Sequence, residues 1–197
     1  MALREKKKRV GELYERYELL AKPYTSQAVC SKGCASCCID VGSVGATTLE
    51  GLIILEYLQG WDPRAKQKMN LSLQQNRNEK LNSALARCAF LDQEQRCLIY
   101  PVRPFSCRRL YSVRRCDGQG PVIHRRALQI GKQMEQALQK LDPEGCSGHL
   151  SFVLDLMGNK EFLQAYLRGD WNSEEFREII QPYGLVVHKD APTGARS

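Results

Sequence analysis

"CSKGCASCC", residues 30–38, places four thiols in nine residues, two of them adjacent. Buried cysteines are common as packing, but packing has no use for such a run. Vicinal Cys37 and Cys38 are poorly placed to pair with each other, because a disulfide wants well-separated α-carbons. A thiolate site for a metal does want it: short spacings let a tight loop turn several sulfurs toward one point, with Gly33 free to take positive φ. The stretch therefore predicts an irregular, metal-organised core.

Outward from this run, five further cysteines follow: Cys88, Cys97, Cys107, Cys116 and Cys146. The first four are spaced by eight, nine and eight residues, as in loop crossings that return to one place. In "CLIYPVRPFSCRR", residues 97–109, Tyr100 precedes Pro101 and Arg103 precedes Pro104, which biases both toward extended backbone and fixes the approach of Cys107. Four thiolates around a divalent zinc, or around a doubly charged iron–sulfur core, leave a net charge of −2. Arg103, Arg108 and Arg109 are placed to offset it, and Arg103 and Arg108 are the candidate cofactor-contacting residues. The candidate ligands are Cys30, Cys34, Cys37, Cys38, Cys88, Cys97, Cys107 and Cys116.

A disulfide framework fits poorly. The start, MALREKKKRVGELYERYELL, has no apolar run of the signal-peptide kind, and nothing approaches the ~20 apolar residues of a membrane span. A reducing, cytoplasmic setting is expected, where dense cysteines bind metal or do redox chemistry. The cysteine count of nine is also odd. At 197 residues the chain buries enough surface to fold without staples. Its formal charge is +7, with basic runs at residues 4–9 and 101–126. The terminal run reads as a solvated helix start; nucleic acid is not the expected partner.

Helical spacing dominates the rest. Val10, Leu13, Tyr17 and Leu20 mark a first helix, and Thr47 with Glu50 forms a capping box for the apolar TLEGLIILEYLQ, which Gly60 ends. Asp62-Pro63 opens a longer polar helix to about residue 86. Ala127, Ile130, Met134, Leu138 and Leu141 make another stripe, stopped at Asp142-Pro143. Residues 151–167 read as helix broken at Gly158-Asn159, and Asn172 with Glu175 caps a short helix to Ile180. Ala89-Phe90-Leu91 and Leu98-Ile99-Tyr100 flank a polar turn and leave room for one short β-hairpin. The expected fold is mainly α: a small helical domain around the irregular cysteine core. It divides into a basic helix (1–29), the cysteine-cluster region (30–120), C-terminal helices packed on it (121–184) and a disordered tail (185–197).

The pattern C-x3-C-x2-CC, then C-x-FLD, RC-x-IY, RP and CR, then a further cysteine, resembles the YkgJ-like CxxCxxCC cysteine-cluster family, over about residues 30–116. The resemblance implies zinc or iron chelation by the eight cysteines named above; Arg103-Pro104 and the threonine–glutamate helix start match as well. It also admits oxidoreductase or protein-lysine methylase activity, which some members carry. The spacing is neither that of a zinc ribbon nor that of a ferredoxin; the crowded cysteines tilt the choice toward an iron–sulfur cluster over zinc. Cys30, Cys34 and Cys37 share the spacing of radical S-adenosylmethionine enzymes, but the alternation of strands and helices that accompanies it is missing, and Ser36 stands where an aromatic residue is usual. The expected function is metal or cluster binding for electron transfer or metal handling, with a redox or other protein partner. The alternatives are a cluster-dependent enzyme and a zinc-stabilised interaction protein. The Cys146-x2-His149 pair has a chelating spacing but lies far downstream.

Overall fold

A computed structural model describes residues 1–31, 33–39, 44–83 and 85–190. The described chain is mainly helical. α1 (Leu3–Thr25) presents Val10, Tyr17 and Ala21 to the core; Leu20, expected on that stripe, is 42% exposed. At 3.6 residues per turn the face that starts at Val10 passes through residues 14, 17 and 21, so Ala21 takes the inward position. α2 (Ser36–Ile39) is a single turn carrying Cys37 and Cys38.

β1 (Gly45–Thr47) runs into α3 (Thr48–Gln59), whose start is the capping box read from the sequence: Thr47 Oγ1 accepts from the Glu50 amide, and Glu50 accepts from the Thr47 amide. α4 (Pro63–Asn82) begins with Asp62 Oδ1 accepting from the amides of Arg64 and Ala65. It stops at Asn82, a turn short of the expected end, where Ser83 is extended. α5 (Phe105–Arg108), α6 (Arg125–Leu141), β2 (Cys146–His149), α7 (Leu150–Gly158), α8 (Lys160–Arg168), α9 (Arg177–Ile180) and β3 (Val186–Val187) follow. The break between α7 and α8 falls at Gly158-Asn159, with the Asn159 side chain capping Phe162.

The strands form an antiparallel sheet in the order β1-β2-β3, with Gly45 opposite His149 and Cys146 opposite Val187. This sheet had no signal in the sequence, because its strands are two to four residues long and CSGH shows no period-2 alternation of apolar residues. The hairpin expected at residues 89–100 contracts to one antiparallel bridge, Leu91 with Cys97, and a Leu98 amide bond to the Phe90 carbonyl at 2.9 Å. Tyr100 does not extend it; it opens a 3₁₀ turn, Tyr100–Val102. Pro101 fits there because the first residues of a helical turn have no internal partner for their N–H. Arg103 is extended as its proline neighbour requires.

The segment from residue 185, expected to be a disordered tail, starts inside the fold. Leu185, Val187 and His188 are buried, because β3 completes the sheet and the His188 amide donates to the Gly145 carbonyl at 2.9 Å. Residues 191–197 lie outside the described residues.

Three apolar clusters hold these elements. One joins α1, α3 and α6 through Val10, Tyr17, Leu49, Phe105, Met134 and Leu138. Another lies under α7 and α8 with Phe152, Phe162 and Trp171. The third, with Ile54, Leu58, Met69, Phe90, Ile99 and Leu154, has Cys88, Cys97 and Cys107 packed against it. Cys88, Cys97 and Cys107 thus rest on a cluster built from α3, α4 and α7.

Candidate metal centre

The eight predicted cysteines sort by their nearest sulfur neighbours into two groups. Burial pushes the Cys37 thiol up to about 12, and the next causes are the neighbouring sulfurs of Cys116, Cys30, Cys38 and Cys34. Burial raises Cys107 well above its ordinary value, and its sulfur neighbours are Cys88, Cys38 and Cys97. Cys88, pushed up to about 12 by burial, has Cys38 and Cys97 beside it. Cys38, raised by burial, has Cys97 before Cys34 among its neighbours. One group is therefore Cys30, Cys34, Cys37 and Cys116, more open to solvent; the other is Cys38, Cys88, Cys97 and Cys107, set against the core. The vicinal pair Cys37–Cys38 joins them. All nine cysteines are free.

Local structure explains the division. Gly33 has φ +87°, the left-handed conformation the run needed, and turns the chain between Cys30 and Cys34. On the single turn of α2, Cys37 and Cys38 lie about 100° apart around the axis, enough to face different groups. The Cys88 amide donates to the Cys38 carbonyl at 2.8 Å, which ties the second group across the chain. Among the described residues no three cysteine, histidine or carboxylate side chains stand close enough to form a finished ligand shell. The donor set nonetheless fits zinc or iron: each neighbourhood supplies four sulfurs, the number a tetrahedral thiolate site takes, on loops rather than long helices.

Ser112, absent from the sequence reading, anchors the first group. Its amide donates to Cys30 Sγ at 3.2 Å and its carbonyl accepts from Val29 at 2.8 Å. Its hydroxyl accepts from Val122 at 2.9 Å and donates to the Arg114 carbonyl at 2.5 Å. A lone serine four residues before a cysteine carries no sequence signal; only its full burial and these four bonds reveal it. Ser112→Ala is expected to cost about 1–3 kcal/mol, because it strands two backbone groups. It should also weaken metal retention by the first group while the second stays loaded, as metal analysis against denaturant midpoints would show; unchanged stability would refute this role.

The arginines have distinct partners. Arg103 lies over the Tyr100 ring, 3.8 Å from its centroid, donates to the Tyr100 carbonyl, and lowers the Cys97 thiol against the larger effect of burial. Arg108 is committed to the carbonyls of Arg103 and Pro101 and to Glu18, so its guanidinium clamps the loop before Cys107. Arg109 pairs with Glu135 at 3.0 Å. Arg87, which the sequence reading passed over although it directly precedes Cys88, is a cation acting on both Cys38 and Cys88.

Cys146 and His149 do not form a chelating pair. They lie at positions one and four of β2, and alternation along a strand sends them to opposite faces. Cys146 is fully buried in the apolar cluster under α7, and burial pushes its thiol up to about 12. His149 lines a small cavity with Cys37, Cys38, Cys88 and Asn76, and its Nδ1 meets Ser151 Oγ at 2.8 Å. Burial, and behind it Lys80, pushes His149 down to about 4 from 6.5. Between these values the unfolded chain takes a proton that the folded chain refuses, so stability falls as pH drops from about 6.5 to 4, by up to ~3 kcal/mol. His188, also lowered by burial, steepens the same slope. The urea midpoint of His149→Gln should fall less between pH 7 and pH 4.5 than that of the native chain; equal falls would refute the contribution.

Residues 29–119, somewhat less than half of the chain, match the family model CxxCxxCC, described as "Putative zinc- or iron-chelating domain". The curated proteins and the solved structures give no match. No helix among the described residues is long and apolar enough to cross a membrane.

Proposed function

We propose that the chain binds two metal centres, one held by Cys30, Cys34, Cys37 and Cys116 and the other by Cys38, Cys88, Cys97 and Cys107, and that it serves electron transfer or metal handling. What supports this reading is that Cys37 has Cys116, Cys30 and Cys34 among its sulfur neighbours, while Cys107 has Cys88, Cys38 and Cys97. Four thiolates complete a tetrahedral shell, and a complete shell leaves no open position for a substrate. That weighs against catalysis and toward a binding role.

An iron–sulfur cluster supplies one-electron chemistry at a potential set by charge, hydrogen bonds to sulfur and solvent exposure. The chain's own residues bear on each of these. The Ser112 amide bonds Cys30 Sγ, Arg87 and Arg103 offset thiolate charge near Cys38, Cys88 and Cys97, and the core cluster shields the second group from water. The open first group then faces a partner, while the second lies deeper.

The test is metal and acid-labile sulfide analysis of protein purified without oxygen, with its absorption spectrum. A brown sample with broad absorption near ~400 nm, iron and sulfide supports clusters and electron transfer. A colourless sample with about two zinc ions keeps the two centres and ends the electron-transfer reading. A chain without metal ends both.

A further inference from the structure

The end of the molecule that carries Cys30 is also where unpaired positive charge collects. Ser112 brings two segments together there: Val29 with Cys30, and the loop from Val113 to Val122, which carries Arg114. The Val113 amide donates to the Val122 carbonyl at 2.9 Å and closes that loop. α6 starts three residues after Val122, and the His124 ring at its cap stacks on Tyr24 at the end of α1, 4.7 Å between centroids.

Arg114, Arg115, Arg125 and Arg126 are all exposed on this end. Among the described residues none of the four forms an ion pair, whereas Arg77, Arg96, Arg108, Arg109, Arg168 and Arg177 do; exposed Arg4, Arg16, Arg64 and Arg87 are also without one, but they lie singly on other segments rather than in two adjacent pairs. Arg125 and Arg126 also occupy the first turn of α6, where the helix dipole favours acids and disfavours cations, and no acid accompanies them. The fold gains nothing from that placement. Two exposed apolar residues share this end, Val29 at 52% and Val122 at 45% exposure, both bonded to the same buried Ser112.

We propose that this end is the docking surface for an acidic protein, with Val29 and Val122 at its centre and the four arginines around them. Protein interfaces combine an apolar centre with arginine and a polar rim, and complementary charge steers encounter. A nucleic acid, held chiefly through its phosphates, would leave the two valines in water. The proposal rests on the reading of Cys30, Cys34, Cys37 and Cys116 as a centre, since docking here brings a partner beside it.

The experiment uses the full chain and three probes of equal length at low salt: a glutamate peptide with interspersed leucines, poly-L-glutamate, and single-stranded DNA. The leucine-bearing peptide should bind best and lose affinity as salt rises. Arg114→Glu/Arg115→Glu and Arg125→Glu/Arg126→Glu should each weaken it about tenfold or more. Val29→Ser should weaken the leucine-bearing peptide and leave poly-L-glutamate unchanged. Peptide binding indifferent to both charge reversals overturns the proposal, and so does tighter binding of DNA through the same arginines. Metal content is measured on every sample and should match the native chain in the charge-reversal variants. Arginine-dependent peptide binding by a native chain without metal would end the metal reading and keep the surface; full metal without such binding would do the opposite.

Discussion

Cys107→Ser is expected to remove about half of the metal bound per chain, and Cys116→Ser the other half, while Cys146→Ser removes none. The first two belong to different groups of four sulfurs, and a tetrahedral site that loses one thiolate loses most of its affinity. The Cys88→Ser/Cys107→Ser double variant should empty the second group entirely and leave the first loaded. Metal analysis with circular dichroism checks both occupancy and folding. Equal loss from Cys107→Ser and Cys146→Ser would defeat the ligand assignment. Complete loss from either Cys107→Ser or Cys116→Ser alone would mean a single shared centre. Cys146 is the right control because it is the most deeply buried thiol and touches the apolar cluster rather than the other sulfurs.

The second large effect lies away from the sulfurs. Asp142 is fully buried, yet its carboxylate accepts from Lys6 Nζ at 2.7 Å, Tyr166 OH at 2.6 Å and Thr48 Oγ1 at 3.3 Å. Its carbonyl meets His188 Nδ1 at 2.7 Å. One residue thus joins α1, α3, α8 and the segment after β3. Asp142→Ala should destabilise the chain by about 3–5 kcal/mol, because it leaves a partly buried ammonium and two hydroxyls without their acceptor. Lys7→Ala breaks a pair with Glu56 that lies open to water, and should cost under about 1 kcal/mol. Denaturant midpoints of the two variants make the comparison. A loss below about 1 kcal/mol for Asp142→Ala would show that the network is incidental to stability.

Much of this molecule was legible from residues alone. The capping box at Thr47 and Glu50, the Asp62 cap, the stop at Asp142-Pro143 and the break at Gly158-Asn159 are local signals, set by which side chains reach the nearest amides. Helix faces were legible because burial follows a 3.6-residue period. The cysteines stand out in the sequence as candidate ligands, since four thiols in nine residues have few other uses. Glu50 shows where local reading stops: its cap was evident, but its bonds to the Phe105 amide at 2.7 Å and to Tyr14 OH at 2.6 Å were not. Those partners lie 55 and 36 residues away, and chain spacing says nothing about such distances.

The division of the sulfurs is the clearest case. By sequence alone Cys37 and Cys38 are neighbours in one run, and Cys107 and Cys116 are neighbours in another. A single helical turn sets Cys37 beside Cys116, Cys30 and Cys34 and sets Cys38 beside Cys97, while Cys107 packs against the apolar cluster that includes Ile54 and Leu58 of α3. Likewise only the folded chain brings Ser112 to Cys30 and ties the exposed Val29 and Val122 to that same serine. Sequence determined most of the helices and which cysteines are the candidate ligands, because both depend on residues near one another along the chain. Tertiary structure decided which sulfurs neighbour one another and what surrounds them, because long-range packing alone sets those distances.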